Sequence, residues 1–168
     1  MAQDEGRFGR INDVRRSWAP KGKRPVAPRQ IVREYVYAFV AVCPALGRMS
    51  SLVLPWADTA MMNIFLAHTA DEFKDYFILM LMDRAGWHTS RKLKVPENIR
   101  IIPLPPHSPE LNPTEHVWPD LRSRKFHNTA HHSLDTVEDA LCDGLMDLAD
   151  DSKRLRSLTN FPYMHVTV

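Results

Sequence analysis

IRIIPLPPHSPELNPTEHVWPDLRSRK, residues 99–125, passes from a strand through a rigid loop into a capped helix. Ile101, Ile102 and Leu104 form a short apolar, β-branched run that predicts a buried strand. Pro103, Pro105, Pro106 and Pro109 then exclude regular structure, because each fixes φ and removes a backbone donor. Asn112, Pro113 and Glu115 follow as N-cap, first and third helical positions. The three elements fix one carboxylate, Glu115, beside the end of a sheet, a placement suited to a metal ligand. Acid at that position also reads as the capping-box residue, reaching back to the N-cap amide with no metal involved. Partners elsewhere in the chain decide between the two.

With 168 residues the chain is expected to form one domain with a proper core. A hydrophobic fraction of 44% and a charged fraction of 25% exclude a disordered or membrane-embedded chain. No apolar run reaches the length of a membrane span, and residues 1–30 are too charged for a signal peptide. Cys43 and Cys142 cannot build a disulfide framework and show no metal-type spacing, so an intracellular protein is the default expectation. The net charge of +2 hides an asymmetry: residues 1–30 carry eight Lys/Arg against three acids, whereas residues 133–151 carry seven acids and no base. Such polarity suits a polyanion meeting one face, or two solvated faces that complement each other.

Residues 1–9 read as the tail of a strand that is just ending at Asp4 and Glu5. Residues 10–30 form a basic, proline-punctuated loop whose interleaved Arg, Lys and Trp18 fit phosphate contact and base stacking, or a plain solvated connection. Residues 31–42 and 49–54 predict an antiparallel hairpin turning at Pro44 and Gly47. Residues 59–74 carry Met62, Ile64, Phe65 and Phe73 at helical spacing. YFILMLM, residues 76–82, predicts a central parallel strand covered on both faces, ending on Asp83 where open α/β sheets place ligands; Asp83 also suits a turn. Residues 90–95 suggest a short helix. Ser133 caps a last helix through Ala149 with Leu134, Val137, Leu141, Leu145 and Leu148 on one stripe. Leu155, Leu158 and Phe161 then lead into an apolar tail.

This order of elements predicts a mixed α/β fold. If the first and fourth strands are neighbours, Asp4 and Asp83 meet, and Glu115 closes the site from its helix. Three hard oxygen ligands suit Mg²⁺ or Mn²⁺ rather than zinc. Two such ions would serve phosphodiester displacement without a covalent enzyme intermediate. His88, His107, His116, His127, His131 and His132 match no standard zinc spacing. His88, near Asp83, reads as a DNA or metal-water contact, or as a satisfied structural histidine.

QDEGRFG (residues 3–9), WAPKG (18–22), MDRAGWHTS (82–90) and PPHSPELNPTEHVW (105–118) resemble the catalytic domain of mariner-like insertion-sequence transposases. That resemblance to the DDE superfamily of endonucleases implies a ribonuclease-H-like, retroviral-integrase-like fold with a mixed five-stranded sheet flanked by helices, spanning residues 1–168. It implies Asp4, Asp83 and Glu115 as catalytic and metal-binding residues, with two Mg²⁺ or Mn²⁺ ions. It further implies cleavage at element ends, then attack of the new 3′-hydroxyl on target DNA. The expected partners are double-stranded DNA and, in the full-length protein, a second copy; the expected setting is the cytoplasm, at the nucleoid when DNA-bound. Arg7, Arg10, Arg15, Arg16, Trp18, Lys21, Lys23, Arg24 and His88 are the candidate DNA contacts.

Three departures from the family pattern accompany the match. A helix-turn-helix region is not seen, and the first strand is expected to be truncated, leaving an unpaired slot in the sheet. Pro119 lies one turn after Glu115; in a continuous helix it would free the Glu115 carbonyl at a cost of ~3 kcal/mol, so the helix must kink or restart. The chain is therefore expected to keep the triad yet to be weak or inactive. The alternatives are a non-catalytic DNA-binding or regulatory remnant, and a nuclease or resolvase on the same fold.

Overall fold

Two strands rich in Val, Tyr and Phe set the frame: β2 (Ile31–Cys43) and β3 (Arg48–Leu54). They pair antiparallel from Tyr37↔Leu54 to Cys43↔Arg48, turning through Gly47, whose φ of 63° favours a residue without Cβ. β1 (Ala2–Ile11) lies antiparallel on the other side of β2, with a register shift between Gly9 and Ile11. β4 (Ile78–Met82) and β5 (Ile99–Pro103) run parallel to each other. The five strands take the order β3-β2-β1-β4-β5 in this computed structural model, which describes residues 1–12, 14–106 and 108–164. Asp13, His107 and residues 165–168, the end of the expected apolar tail, lie outside the described residues.

The period-two alternation of β2 divides the core. Val36, Ala38, Val40 and Val42 face one side with Phe8, Trp118, Leu141, Leu145 and Leu148. Phe39 and Ala41 face the other, with Met62, Phe65, Leu66, Met80 and Met82. The second side is covered by α1 (Thr59–Glu72), capped by Asp58, whose carboxylate accepts from the Met61 amide at 2.9 Å. The first is covered by α3 (Leu134–Asp150), opened by a capping box in which Ser133 and Thr136 exchange bonds. The hairpin, the α1 helix, the parallel β4 strand and the last long helix are as the sequence predicts, but β4 is shorter, Ile78–Met82, and is not covered on both faces.

Three details differ, and a fourth, at Pro119, follows the expectation. β1 does not end at Asp4 and Glu5; it continues to Ile11 as the central strand. Phe8, 3% exposed, packs edge-on to Trp118 and beside Phe126, anchoring a polar segment in the core. Its pairing with β4 is confined to Ala2↔Leu81, and at the far end of β4 Leu79 remains 45% exposed. Residues 90–95 form turns rather than a helix, because Asn63 on α1 takes the local backbone: its side chain accepts from the Lys94 amide at 2.7 Å and donates to the Lys92 carbonyl at 3.2 Å. The Glu115 helix is composite, as Pro119 requires: a 3₁₀ turn, Pro113–His116, precedes α2 (Val117–Leu121), and a π turn, Arg122–Phe126, follows. Beyond α3 the chain forms α4 (Ser152–Thr159), held by buried Leu155 and an Arg154–Asp120 ion pair. Among the described residues no helix is long and apolar enough to cross a membrane.

Candidate active site

A cleft of about 370 Å³ opens between the end of β4 and the proline-rich loop; Asp4, Asp83 and Glu115 all line it. The sheet explains two of them. Ala2 pairs with Leu81, and Asp4 and Asp83 each follow two residues later, Asp83 as the first residue off β4. Glu115 arrives through the capped turn. Asn112, 3% exposed, accepts from the Thr114 amide at 3.2 Å and donates to the Gln3 carbonyl at 3.0 Å. The buried Thr114 hydroxyl donates to the Ala2 carbonyl at 2.8 Å. The 3₁₀ turn is thus stitched to the strand segment that carries Asp4. Among the described residues the Glu115 carboxylate takes no hydrogen bond, so a capping box is not what holds it.

The cleft concentrates negative charge. Burial pushes the Asp4 carboxyl up to about 7, helped by the charges of Glu115 and Glu5 and opposed by the Trp118 indole, which donates to its Oδ2 at 2.8 Å. Glu115 is raised as well, by burial, which outweighs the opposing Arg122 guanidinium, and by the charge of Asp83. Asp83 is lowered, first by its hydrogen bond with His88 and, against its partial burial, by the Ala85 amide. Across the shared cleft Glu115 acts on Asp4 and Asp83 acts on Glu115, and carboxylate oxygens are donors of the hard class that Mg²⁺ or Mn²⁺ takes. The three carboxylates line the cleft without converging on one point: among the described residues no group of three His, Cys, Asp or Glu is arranged to grip an ion.

Of the two readings of His88, a DNA or metal-water contact and a satisfied structural histidine, the geometry fits the second. Its side chain is 2% exposed and bridges two acids, Nδ1 meeting Asp83 Oδ1 at 2.6 Å and Nε2 meeting Glu5 Oε1 at 2.8 Å. Burial opposes its charge, but the bonds to Asp83 and Glu5 raise its pKa to about 9, so it stands as an imidazolium. Glu5 is the residue that sequence reasoning missed. It collects His88, Gln3 at 2.9 Å and Trp87 at 3.4 Å. The signal was available: two consecutive acids on a strand face opposite sides, so each needs its own partner.

The basic residues divide. Arg10 is committed to the fold, bonding Glu34 at 2.7 Å and the His131 carbonyl at 3.1 Å, rather than projecting towards a ligand. Arg7 lies over the Tyr35 ring, 4.7 Å from its centroid. Arg15, Arg16, Trp18, Lys21, Lys23 and Arg24 are exposed on the connection between β1 and β2. That connection leaves β1 after Ile11, seven residues beyond Asp4 or about 23 Å along the strand.

The sequence matches the model of the DDE superfamily endonuclease family over residues 1–138, all five strands and the turn bearing Glu115. It is 38% identical over 125 residues to the uncharacterized protein y4pE/y4sA of Sinorhizobium fredii, covering 74% of this chain and 93% of that one. The fold is similar to that of Mos1 transposase in a paired-end complex with the left transposon end, with a TM-score of 0.60, 15% identity, and 95% and 55% of the two chains covered. It is also similar to the catalytic domain of Mos1 mariner transposase, with a TM-score of 0.52, 13% identity and coverage of 93% and 79%. The chain thus spans about half the length of the first of these transposases. With the family model running unbroken through every strand and every acid of the cleft, the chain belongs to the DDE superfamily endonucleases.

Proposed function

We propose that the chain is the catalytic domain of a transposase, acting on double-stranded DNA at the ends of a mobile element and transferring the new 3′-hydroxyl into target DNA. The observation that carries this reading is that Asp4, Asp83 and Glu115 all line one cleft. Support also comes from the family match and from Mos1 structures solved as a strand transfer complex and as paired-end complexes with Mn and with Mg.

Asp4, Asp83 and Glu115 would hold two Mg²⁺ or Mn²⁺ ions, which when bound would supply activation of the attacking oxygen and charge relief on the departing 3′-oxygen. The chain's own part is orientation. Trp118 fixes Asp4, His88 and the Ala85 amide fix Asp83, and Asn112 and Thr114 fix the turn of Glu115. Pro105, Pro106 and Pro109 make a stiff wall on which a DNA backbone can rest without reordering the loop. The exposed Arg16, Lys21, Lys23 and Arg24 suit phosphate contact beyond the cleft, and Trp18 suits stacking. A second copy of the protein would bring the paired end. Of the grounds for expecting a weak chain, the fault in the central sheet falls away from the cleft, since the exposed face at Leu79 lies at the end of β4 remote from Asp83.

The test is cleavage of a plasmid carrying the element's terminal repeats in the presence of Mn²⁺. Loss of cleavage in Asp83→Asn and Glu115→Gln, with binding retained, supports the reading. Salt-sensitive DNA binding with no cleavage by the parent, unchanged by either substitution, would instead identify a regulatory remnant.

A further inference from the structure

We propose that His88 and Glu5 are positioning residues for Asp83: an imidazole strut that sets how far the end of β4 stands from β1 and which oxygen Asp83 offers to the cleft. The proposal rests on the reading of Asp83 as a metal ligand given above. Its first ground is the sheet. β1 and β4 share one paired position, Ala2↔Leu81, with the Leu81 amide bonded to the Met1 carbonyl at 2.8 Å. Past that point, among the described residues, no further paired position couples the strand carrying Asp4 to the loop carrying Asp83. The Glu5–His88–Asp83 bridge spans that gap, and Glu5 is covalently next to Asp4.

The second ground is the choice of oxygen. Both donors to Asp83, the His88 Nδ1 at 2.6 Å and the Ala85 amide at 2.9 Å, meet Oδ1. Among the described residues none meets Oδ2, so the carboxylate is held by one edge and presents the other. The third is the rigidity of the strut. His88 sits beside the Trp87 ring with centroids 5.7 Å apart, and Glu5 is braced by Gln3 and by the Trp87 indole. A carboxylate in water would rotate; this one is oriented before any ligand arrives, the arrangement that sharpens metal affinity.

Mn²⁺ titrations followed by electron paramagnetic resonance test this, with thermal unfolding in EDTA measured on the same samples of the full chain. The amide of His88→Asn falls where Nδ1 stood and still reaches Asp83; that of His88→Gln falls nearer Nε2 and does not. The expected result is an Mn²⁺ dissociation constant raised about 10- to 100-fold in His88→Gln but only about threefold in His88→Asn, at similar losses of melting temperature. If the two variants bind Mn²⁺ equally, whether well or badly, the strut is structural only and the proposal falls. If neither His88 variant folds, the Glu5 pair decides: Glu5→Gln keeps an acceptor for His88 and should bind more tightly than Glu5→Ala, and equal affinities overturn the proposal. Asp83→Asn binding Mn²⁺ as tightly as the parent would instead overturn the reading of Asp83 as a ligand, and the strut with it.

Discussion

At pH 8 and without divalent ions, Asp4→Asn is expected to stabilise the protein, by as much as about 4 kcal/mol. Folding moves the Asp4 carboxyl from an ordinary 3.8 up to about 7. Each pKa unit corresponds to about 1.4 kcal/mol between the two protonation states. The raised pKa means that the folded protein holds this proton where the unfolded chain has released it. Between pH 4 and pH 7 the native state therefore binds more protons, and stability falls as pH rises across that window. The contribution is fully present below 3.8 and lost above 7. Asparagine has no proton to lose, and its carbonyl still accepts from the Trp118 indole, so the difference between the two proteins should be small at pH 3.5 and reach its plateau near pH 8.

Urea unfolding in EDTA at pH 3.5, 5.5 and 8, followed by tryptophan fluorescence, reads the difference directly. His88, Asp83 and Glu115 titrate in both proteins, so their contributions largely cancel in the comparison. Mn²⁺ should narrow the gap, because the parent gains about 2.7 kcal/mol at a concentration 100 times its dissociation constant and the variant gains less. An Asp4→Asn protein that is less stable than the parent by the same margin at every pH would refute the reasoning. Asp4 would then ionise normally in the fold, and the cleft would hold no excess charge for a cation to relieve.

Four other outcomes are expected. His88, raised to about 9, contributes stability that is complete below pH 6.5 and lost as pH rises through 9; its imidazole resonances should titrate there in NMR, and a titration near 6.5 would contradict the bridge. Gly6→Ala places a Cβ 2.7 Å from Trp118 Cε3 and 2.8 Å from Phe8, and should cost about 1–3 kcal/mol in urea unfolding while displacing the indole from Asp4. Asn112→Ala loses the cap on Thr114 and the bond to the Gln3 carbonyl, which should cost about 2 kcal/mol and loosen Glu115, seen as faster amide exchange at Thr114 and Glu115. Replacing Lys21, Lys23 and Arg24 together by Gln should flatten the dependence of log DNA affinity on log salt by roughly 3, with the midpoint of unfolding unchanged.

Much of the fold is written in local patterns. β2 and β4 are legible because residues 36–42 and 78–82 are apolar runs of strand length; α3 is legible because Ser133 caps it and its leucines share a stripe. β1 is the opposite case. Its strand state comes from long pairing with β2 and from Phe8 meeting Trp118 and Phe126, partners more than 100 positions away. α4 was missed for a related reason. Eight residues of mostly polar sequence would not hold a helix alone, and Leu155 and the Arg154–Asp120 pair supply what propensity does not. The same distinction runs through the site. Glu115 and Asp83 could be placed from their own neighbours, whereas the role of Glu5 exists only through His88, 83 positions along the chain.

The turn after β5 shows where local rules give way and why. A regular α-helix begun at Pro113 would run its ladder into Pro119 and strand the Glu115 carbonyl. The chain avoids this by tightening to a 3₁₀ turn through His116 and restarting at Val117, which puts Pro119 in a first turn, where a missing amide hydrogen leaves nothing unpaired. It then widens, the His127 amide bonding the Arg122 carbonyl at 2.9 Å, so that Phe126 reaches the core and Arg122 lies over the Phe8 ring. Three helical pitches in fourteen residues are poor helix formation but good placement. Glu115 and Trp118, three positions apart, act on Asp4 in opposite senses: the carboxylate raises its pKa and the indole lowers it. A straight helix would satisfy more backbone groups, but it would shift these two side chains relative to each other, and with them the balance that leaves Asp4 poised near neutrality.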